Sequence, residues 1–512
     1  MKYVMIFHAN LNYAYLNPDK YEFVIRNSYE LTFDTMAENF PNTKYVFEAS
    51  GYTIEQMALL CPDVLEKLKK AIANGTCEFM GSPYAHPMLP NFPQEDGTWA
   101  IKFSNDIFKK YLGFTPKSFW NPECGWRNYV PQQVIDNGFK NLIGDFEAYS
   151  RSCYKNGEPV RPEIYEKEYS DDPSFYSFDF KYDLEGSERA IHRPFNKIEG
   201  YDENAIRMFL RTDRVCQFAV RHFMGMEGYS FEKYMELIKK YSEQKPGEPE
   251  GAMIIFADDA EYIGTNGWFR LKYQNKPDNC FEKTPESKEK LIRLVTEVEK
   301  MGEFITYDDA CNLEPLDDVL NVDDDNAWHG ARASTWASTP MAKILRPWQD
   351  LVREKLHEVK NTLDDATIEK VWYHLTNSYN SDGQWPPTLP NAPHIIYPFN
   401  YQYCFENLLA AELLVGGVDR NKLTSSPLDT MKAILTIQQD LILDKAELLL
   451  KEGTEEEKKN AANAKTLINK SRNLDSIKNA SDKILYPAEY TIRANMLIEA
   501  RRLVGGVVLE QN

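Results

Sequence analysis

A chain of 512 residues, 43% hydrophobic and 27% charged, can bury at least one large core and is too long for one ordinary domain. Its formal net charge of -19 excludes a polyanionic partner such as nucleic acid, whose phosphates need clustered Lys and Arg. No stretch approaches the roughly eighteen apolar residues of a membrane span, so no membrane partner is expected either.

The chain opens with a short apolar run, Tyr3–Phe7, interrupted by His8 and Asn10. It lacks the longer apolar region and small-residue cleavage site of a signal peptide, and the eight cysteines are scattered with no CxxC pair. Reduced thiols in a cytoplasm are therefore expected, rather than a disulfide framework or a zinc site. Further strand-like runs follow at Tyr45–Phe47, Cys77–Met80, Ser118–Trp120, Asn141–Ile143, Ala252–Ala257 and Glu303–Thr306. Segments of helical period lie between them. One is "CPDVLEKLKKAIANG", with Pro62 and Asp63 in its first turn and Gly75 as a C-cap. Another runs from Thr284 to Gly302. This alternation predicts parallel strands with helical crossovers, and about seven such units suggest a barrel. In a barrel the chemistry sits on the loops after the C-terminal ends of the strands.

A polar linker interrupts the rhythm at Tyr241–Gly251, and "LEPLDDVLNVDDDN" at Leu313–Asn326 reads as a domain junction. Beyond about residue 340 the pattern is that of amphipathic helices, with "GTEEEKKN" as a solvated helix start. The expected organisation is a catalytic barrel over 1–312, a helical subdomain completing the cleft over 313–420, and a helical extension over 421–512.

Several strand-like runs end in polar residues: His8 and Asn10, Glu48 in "YVFEAS", Glu78 and then His86, Glu123 in "SFWNPE", and Asp258, Asp259 and Glu261 in "MIIFADDAE". One such residue alone reads as a turn or cap. Together they would face one barrel mouth. Glycoside chemistry needs an ionised carboxylate and a protonated one flanking the bond. Glu123, set between Trp120 and Trp126, suits the nucleophile. The crowded "ADDAE" carboxylates suit the acid, because like charges raise a neighbour's pKa. The same carboxylates could also ligate a metal, and Asp323–Asp325 is either a hard-cation site or a solvated acidic loop. The aromatic content of 13% fits sugar stacking, although large cores use the same rings. No HExxH, GxSxG, Walker loop or GxGxxG occurs, and His192, His222, His357, His374 and His394 read as structural.

In this order the motifs resemble those of glycoside hydrolase family 57. "GTCEFMGSPYAHPMLP" is similar to the family's second motif, "WNPE" to the third, "DDAEYIG" to the fourth and "DNAWHG" to the fifth. The resemblance covers about the first 330 residues. It implies an α/β fold, an incomplete (β/α)7 barrel followed by a helical C-terminal region, and no required cofactor. It also implies retention of configuration on oligosaccharide or polysaccharide substrates, mostly α-glucans. Glu123 would then be the nucleophile and Asp259 the acid/base. His8, Glu78, His86, Trp120, Glu261, Trp268, Asp325, Trp328 and His329 would bind substrate. The sequence departs from the family in "HAN", where His-Gln-Pro is usual, in Ala260 for a glycine, and in a longer spacing to Trp268. Rival readings are a metal-dependent carbohydrate deacetylase, which needs a helical His pair that this chain lacks, and a non-catalytic carbohydrate-binding barrel.

Overall fold

A computed structural model describes residues 1–13, 16, 18–153, 187–244, 246–267, 281–328, 331–384 and 398–472, with 496–497, 499–501 and 503–505. The chain divides into two compact units. The first comprises Met1–Leu11, Glu22–Gln274 and Cys280–Thr335, and the second Asn12–Tyr21, Asn275–Asn279 and Trp336–Asn512.

The first unit is built on parallel strands β1 (Lys2–Ala9), β2 (Tyr45–Ser50), β3 (Cys77–Ser82), β4 (Ser118–Phe119), β5 (Asn141–Asp145), β6 (Arg207–Arg211) and β7 (Ala252–Asp259). Their order, β6-β5-β4-β3-β2-β1-β7, is that of a nearly closed seven-stranded barrel. β1 is buried at every position after Lys2, and β7 along its whole length. That burial explains their continuous apolar runs, since parallel strands covered on both faces show no polar alternation. β6 and β7 share no backbone ladder among the described residues. The Arg211 side chain crosses this seam instead, donating from Nε to the Ala257 carbonyl at 3.2 Å.

One expected strand is replaced by another. The run at Glu303–Thr306 yields only a two-residue strand, β8 (Glu303–Phe304), which pairs with the first residues of β1. The missing wall strand is β6, whose sequence RMFLR carries arginine at both ends. Only three apolar residues remain between them, too few to stand out, and Arg211 is nevertheless fully buried. The crossover helix Pro62–Ala73 starts on Pro62 and is followed by Gly75 at φ 75°, as its sequence requires. The later helix begins at Ser287 rather than Thr284, because Glu286 adopts a left-handed conformation at φ 60°.

The second unit is helical, with helices Pro340–Val359, Asp365–Asn377, Pro398–Leu414, Pro427–Glu452 and Glu455–Ser471. The last opens with a capping box in which Thr454 and Glu457 satisfy each other's backbone N–H groups. No helix among the described residues is long and apolar enough to cross a membrane. Cys61, Cys77, Cys124, Cys216, Cys311 and Cys404 are buried free thiols.

The turn after β7 packs against Asn27 so closely that a Cβ at Gly264 would lie 1.7 Å from the Asn27 carbonyl oxygen. Gly264→Ala is therefore expected to destabilise the first unit by about 1–3 kcal/mol or more, since backbone must move to relieve the overlap. Denaturant titration of the variant beside the parent checks this. An unchanged midpoint would show that the turn shifts freely.

Candidate active site

Strand register assembles the centre of the site. His8 of β1 stands opposite Glu48 of β2 on one side and opposite Asp259 of β7 on the other. Residues in register on neighbouring strands point to the same face, so the three side chains form a row across the barrel. His8 donates from Nδ1 to Glu48 Oε2, and its Nε2 lies 4.0 Å from Asp259 Oδ1. Burial is the largest influence on His8 and favours a neutral ring. Glu48, Asp259 and Glu261 outweigh it, holding the His8 pKa up at about 10.

Two loop residues approach this row from strained backbone. His86 has φ 56° and Glu123 has φ 57°, followed by Cys124 at φ 46°. Left-handed conformations cost non-glycine residues of order 1–3 kcal/mol each, and they concentrate where side chains must be aimed. Pro122 opens the tight turn Pro122–Cys124 immediately after the short β4, and the Asn121 amide donates to the Gly125 carbonyl across it. The result places Glu123 Oε1 3.9 Å from His86 Nδ1. The His86 ring lies 5.1 Å from the His8 ring. Burial and then the charge on His8 hold His86 well below its ordinary pKa, so it is neutral.

The aromatic residues wall this group. Trp120 is wholly buried and stacks on His8, centroids 4.5 Å apart at 15°. Its role is therefore to support His8, and that face is not offered to a sugar. Trp328 meets Trp120 edge-on at 6.1 Å and receives the Arg211 guanidinium 5.2 Å from its ring. Asn326, two residues earlier, accepts from the Trp126 N–H at 2.7 Å, which ties "DNAW" to the loop carrying Glu123. The Asp325 carboxylate accepts from the Ser334 N–H at 2.6 Å and its hydroxyl at 2.7 Å. Asp324 accepts from the Asn128 N–H at 2.7 Å. Both carboxylates thus hold the loop in place.

Within "DDAE", each carboxylate has its own surroundings. Asp258 accepts from Gln217 Nε2 at 2.6 Å and lies 3.8 Å from Arg211. Glu261 accepts from the Asn10 N–H at 2.8 Å and from the Tyr29 hydroxyl. Burial pushes Glu261 up to about 7, against the pull of Tyr29 and His8. Asp259 is the member in register with His8.

The structure does not bring Glu78 to this group. Register pairs Glu48 with Met80 and Val46 with Glu78, so Glu78 lies two residues nearer the N-terminal end of the strands. There it accepts from the Ser118 hydroxyl at 2.5 Å and from the Asp308 N–H at 2.8 Å. A carboxylate at the second position of a six-residue strand is too early to reach the mouth. Trp268 and His329 lie outside the described residues. Two residues of the site carry no role among the sequence expectations: Glu48, and Arg211, which bonds Asp145 and Asp213 at 3.2 and 2.6 Å. Glu48 was visible as a strand-end carboxylate. Arg211 was hidden with its strand.

The model of glycosyl hydrolase family 57 matches residues 2–322, more than half of the chain. The chain belongs to glycosyl hydrolase family 57. Alpha-amylase 1 of Dictyoglomus thermophilum is 27% identical over 128 residues, covering 24% of this chain and 19% of that protein. The 4-alpha-glucanotransferase of Thermococcus litoralis is 27% identical over 113 residues, covering 22% and 17%. The chain thus spans about a fifth of the length of the curated relatives it matches. Among solved structures, a family 57 branching enzyme from Pyrococcus horikoshii aligns with a TM-score of 0.55 and 13% identity over 80% of this chain and 88% of its own. The Thermococcus litoralis 4-alpha-glucanotransferase structure aligns at 0.53 and 16%, over 80% and 59%. At such identity the likeness speaks for the family 57 fold.

Glu78 gives this site's frame a pH signature. Burial pushes its carboxyl up to about 7, against the Ser118 and Asp308 hydrogen bonds. A raised carboxyl pKa favours the folded state below the unfolded value, and that contribution fades as pH rises towards about 7. Glu78→Gln should therefore flatten the fall in unfolding free energy between about pH 4.5 and 7. Glu261 has the same sign and remains, so part of the slope should persist. Denaturant titrations across that range, parent beside variant, test the expectation; parallel curves would refute it.

Proposed function

We propose that this chain is a retaining glycoside hydrolase or transglycosylase acting on α-linked glucans or oligosaccharides by double displacement. One observation carries the reading. The glutamate of the third motif and the aspartate of the fourth approach a single pair of touching histidines, Glu123 through His86 and Asp259 through His8. Two carboxyl groups converging on one buried centre at a barrel mouth are what glycosidic cleavage requires. The relatives named as amylase, glucanotransferase and branching enzyme support α-glucans as the substrate class.

In the first step the Glu123 carboxylate attacks the anomeric carbon as the bond to the leaving oxygen breaks. Asp259 gives its proton to that oxygen, leaving a glycosyl ester on Glu123 and an ionised Asp259. Water or an acceptor hydroxyl then attacks the anomeric carbon. Asp259 takes its proton, and the bond to Glu123 breaks. Two inversions give net retention. In this mechanism His8 and His86 hydrogen-bond sugar hydroxyls next to the cleaved bond, the first as a donor and the second, being neutral, as donor or acceptor. Trp328 contributes to the wall.

Incubation with maltooligosaccharides and amylose should release products whose first-formed anomer is α, read by proton NMR. Glu123→Gln should lower kcat by roughly 10³-fold or more, as loss of a covalent nucleophile does. Asp259→Asn should lower it about 10²–10⁴-fold. A first-formed β product, or undiminished turnover in Glu123→Gln, would overturn the assignment. Acetate release from an acetylated oligosaccharide, abolished by a chelator, would favour a metal-dependent deacetylase instead.

A further inference from the structure

We propose that Glu48 is a positioning residue of this site, which holds His8 by Nδ1 and commits Nε2 to donating a hydrogen bond towards Asp259 and a bound hydroxyl. The inference rests on the glycosidase reading for its catalytic consequence, but the Glu48–His8 relation stands apart from it.

The geometry leaves His8 little freedom. Glu48 is wholly buried and sits in register with His8, with Oε2 on Nδ1. Trp120 lies flat against the ring at 4.5 Å, His86 is tilted over it at 5.1 Å, and Trp328 stands edge-on at 6.4 Å. The ring therefore presents one nitrogen to Glu48 and the other to Asp259. A neutral imidazole carries one proton for two nitrogens. If Nδ1 keeps it for Glu48, Nε2 can only accept; a charged ring donates from both.

The charged groups facing the ring decide which form prevails. Glu48 comes from β2, Asp259 from β7, Glu261 from the turn after β7, and the neutral His86 from the loop after β3. Glu48 makes the largest electrostatic contribution, both as a charge and as a hydrogen-bond acceptor, opposing the burial that favours neutrality. Glu48 has a second effect. A lone imidazolium 4.0 Å from Asp259 would favour the ionised carboxylate, whereas the first step needs a protonated one. Paired with Glu48, the ring is half of a neutral couple. It donates a hydrogen bond while placing no net charge beside the acid.

Two readouts test the proposal on the 512-residue chain. In nitrogen-15 NMR of the ligand-free chain, His8 should keep protons on both nitrogens from about pH 5 to 8, and in Glu48→Gln it should become neutral within that range. On maltooligosaccharide, kcat/KM of Glu48→Gln should fall about tenfold more than that of the parent between pH 5.5 and 8, each pH unit past the lowered pKa costing about tenfold in the charged form. Glu48→Asp should restore part of the parent profile. A merely structural Glu48 would lower activity equally at every pH and leave the His8 spectrum unmoved. A parent His8 that is neutral at pH 7, or a Gln variant with the parent's titration, would overturn the proposal. If the Gln variant does not fold, the parent titration and Glu48→Asp decide. If no protein turns over α-glucan, the function fails while the NMR still judges Glu48.

Discussion

The site depends on one buried ion pair. His8 and Glu48 sit side by side on adjacent strands, almost removed from water, and neither could carry its charge there alone. Burying a charge without a partner costs several kcal/mol, so each residue makes the other tolerable. Strand register supplies this pairing without further devices, because parallel neighbours hold their side chains on the same face. Everything around the pair is arranged to keep it dry. Trp120 covers the imidazole, Trp328 closes the edge, and the Tyr29 hydroxyl secures Glu261 beside it.

Around that pair, polar groups are sorted by what holds them. Arg211 gathers Asp145 and Asp213 and reaches towards Asp258, so a single buried cation offsets several acids at the seam between β6 and β7. Burial and neighbouring acids push the Asp145 carboxyl well up, against the pull of Arg211, which limits the charge stored there. Asp325 and Asp324 are spent on loop backbone. Asp259 and Glu123 instead face the two histidines. The division of labour among many carboxylates follows from local partners, not from residue type.

Much of this was legible in the sequence, for a physical reason in each case. Strands buried on both faces write continuous apolar runs, so β1, β2, β3 and β7 could be read directly. The residues just past those runs had to be at the mouth, which located His8 and Asp259, and the shorter run before "NPE" did the same for Glu123. A strand interrupted by charge, such as β6, writes no such run, and the height of a carboxylate along a strand, as for Glu78, leaves no mark in the sequence. Periodicity does not report how far along the barrel axis a side chain sits; register does. Nor could it show that Trp120 would lie against a histidine, since stacking joins residues from separate strands.

The bridge between Trp126 and Asn326 has a consequence for how the protein is made. The loop that aims Glu123 is written in the first third of the chain, yet the acceptors for its backbone N–H groups, the Asp324 carboxylate and the Asn326 carbonyl, come only after β7 and β8. Closing so long a loop costs little more than closing a shorter one, because the entropy grows only logarithmically with length. The cost is in timing. During synthesis every barrel strand can be in place while the loop carrying Glu123 still lacks its edge, so the emerging chain becomes a barrel before that loop is held.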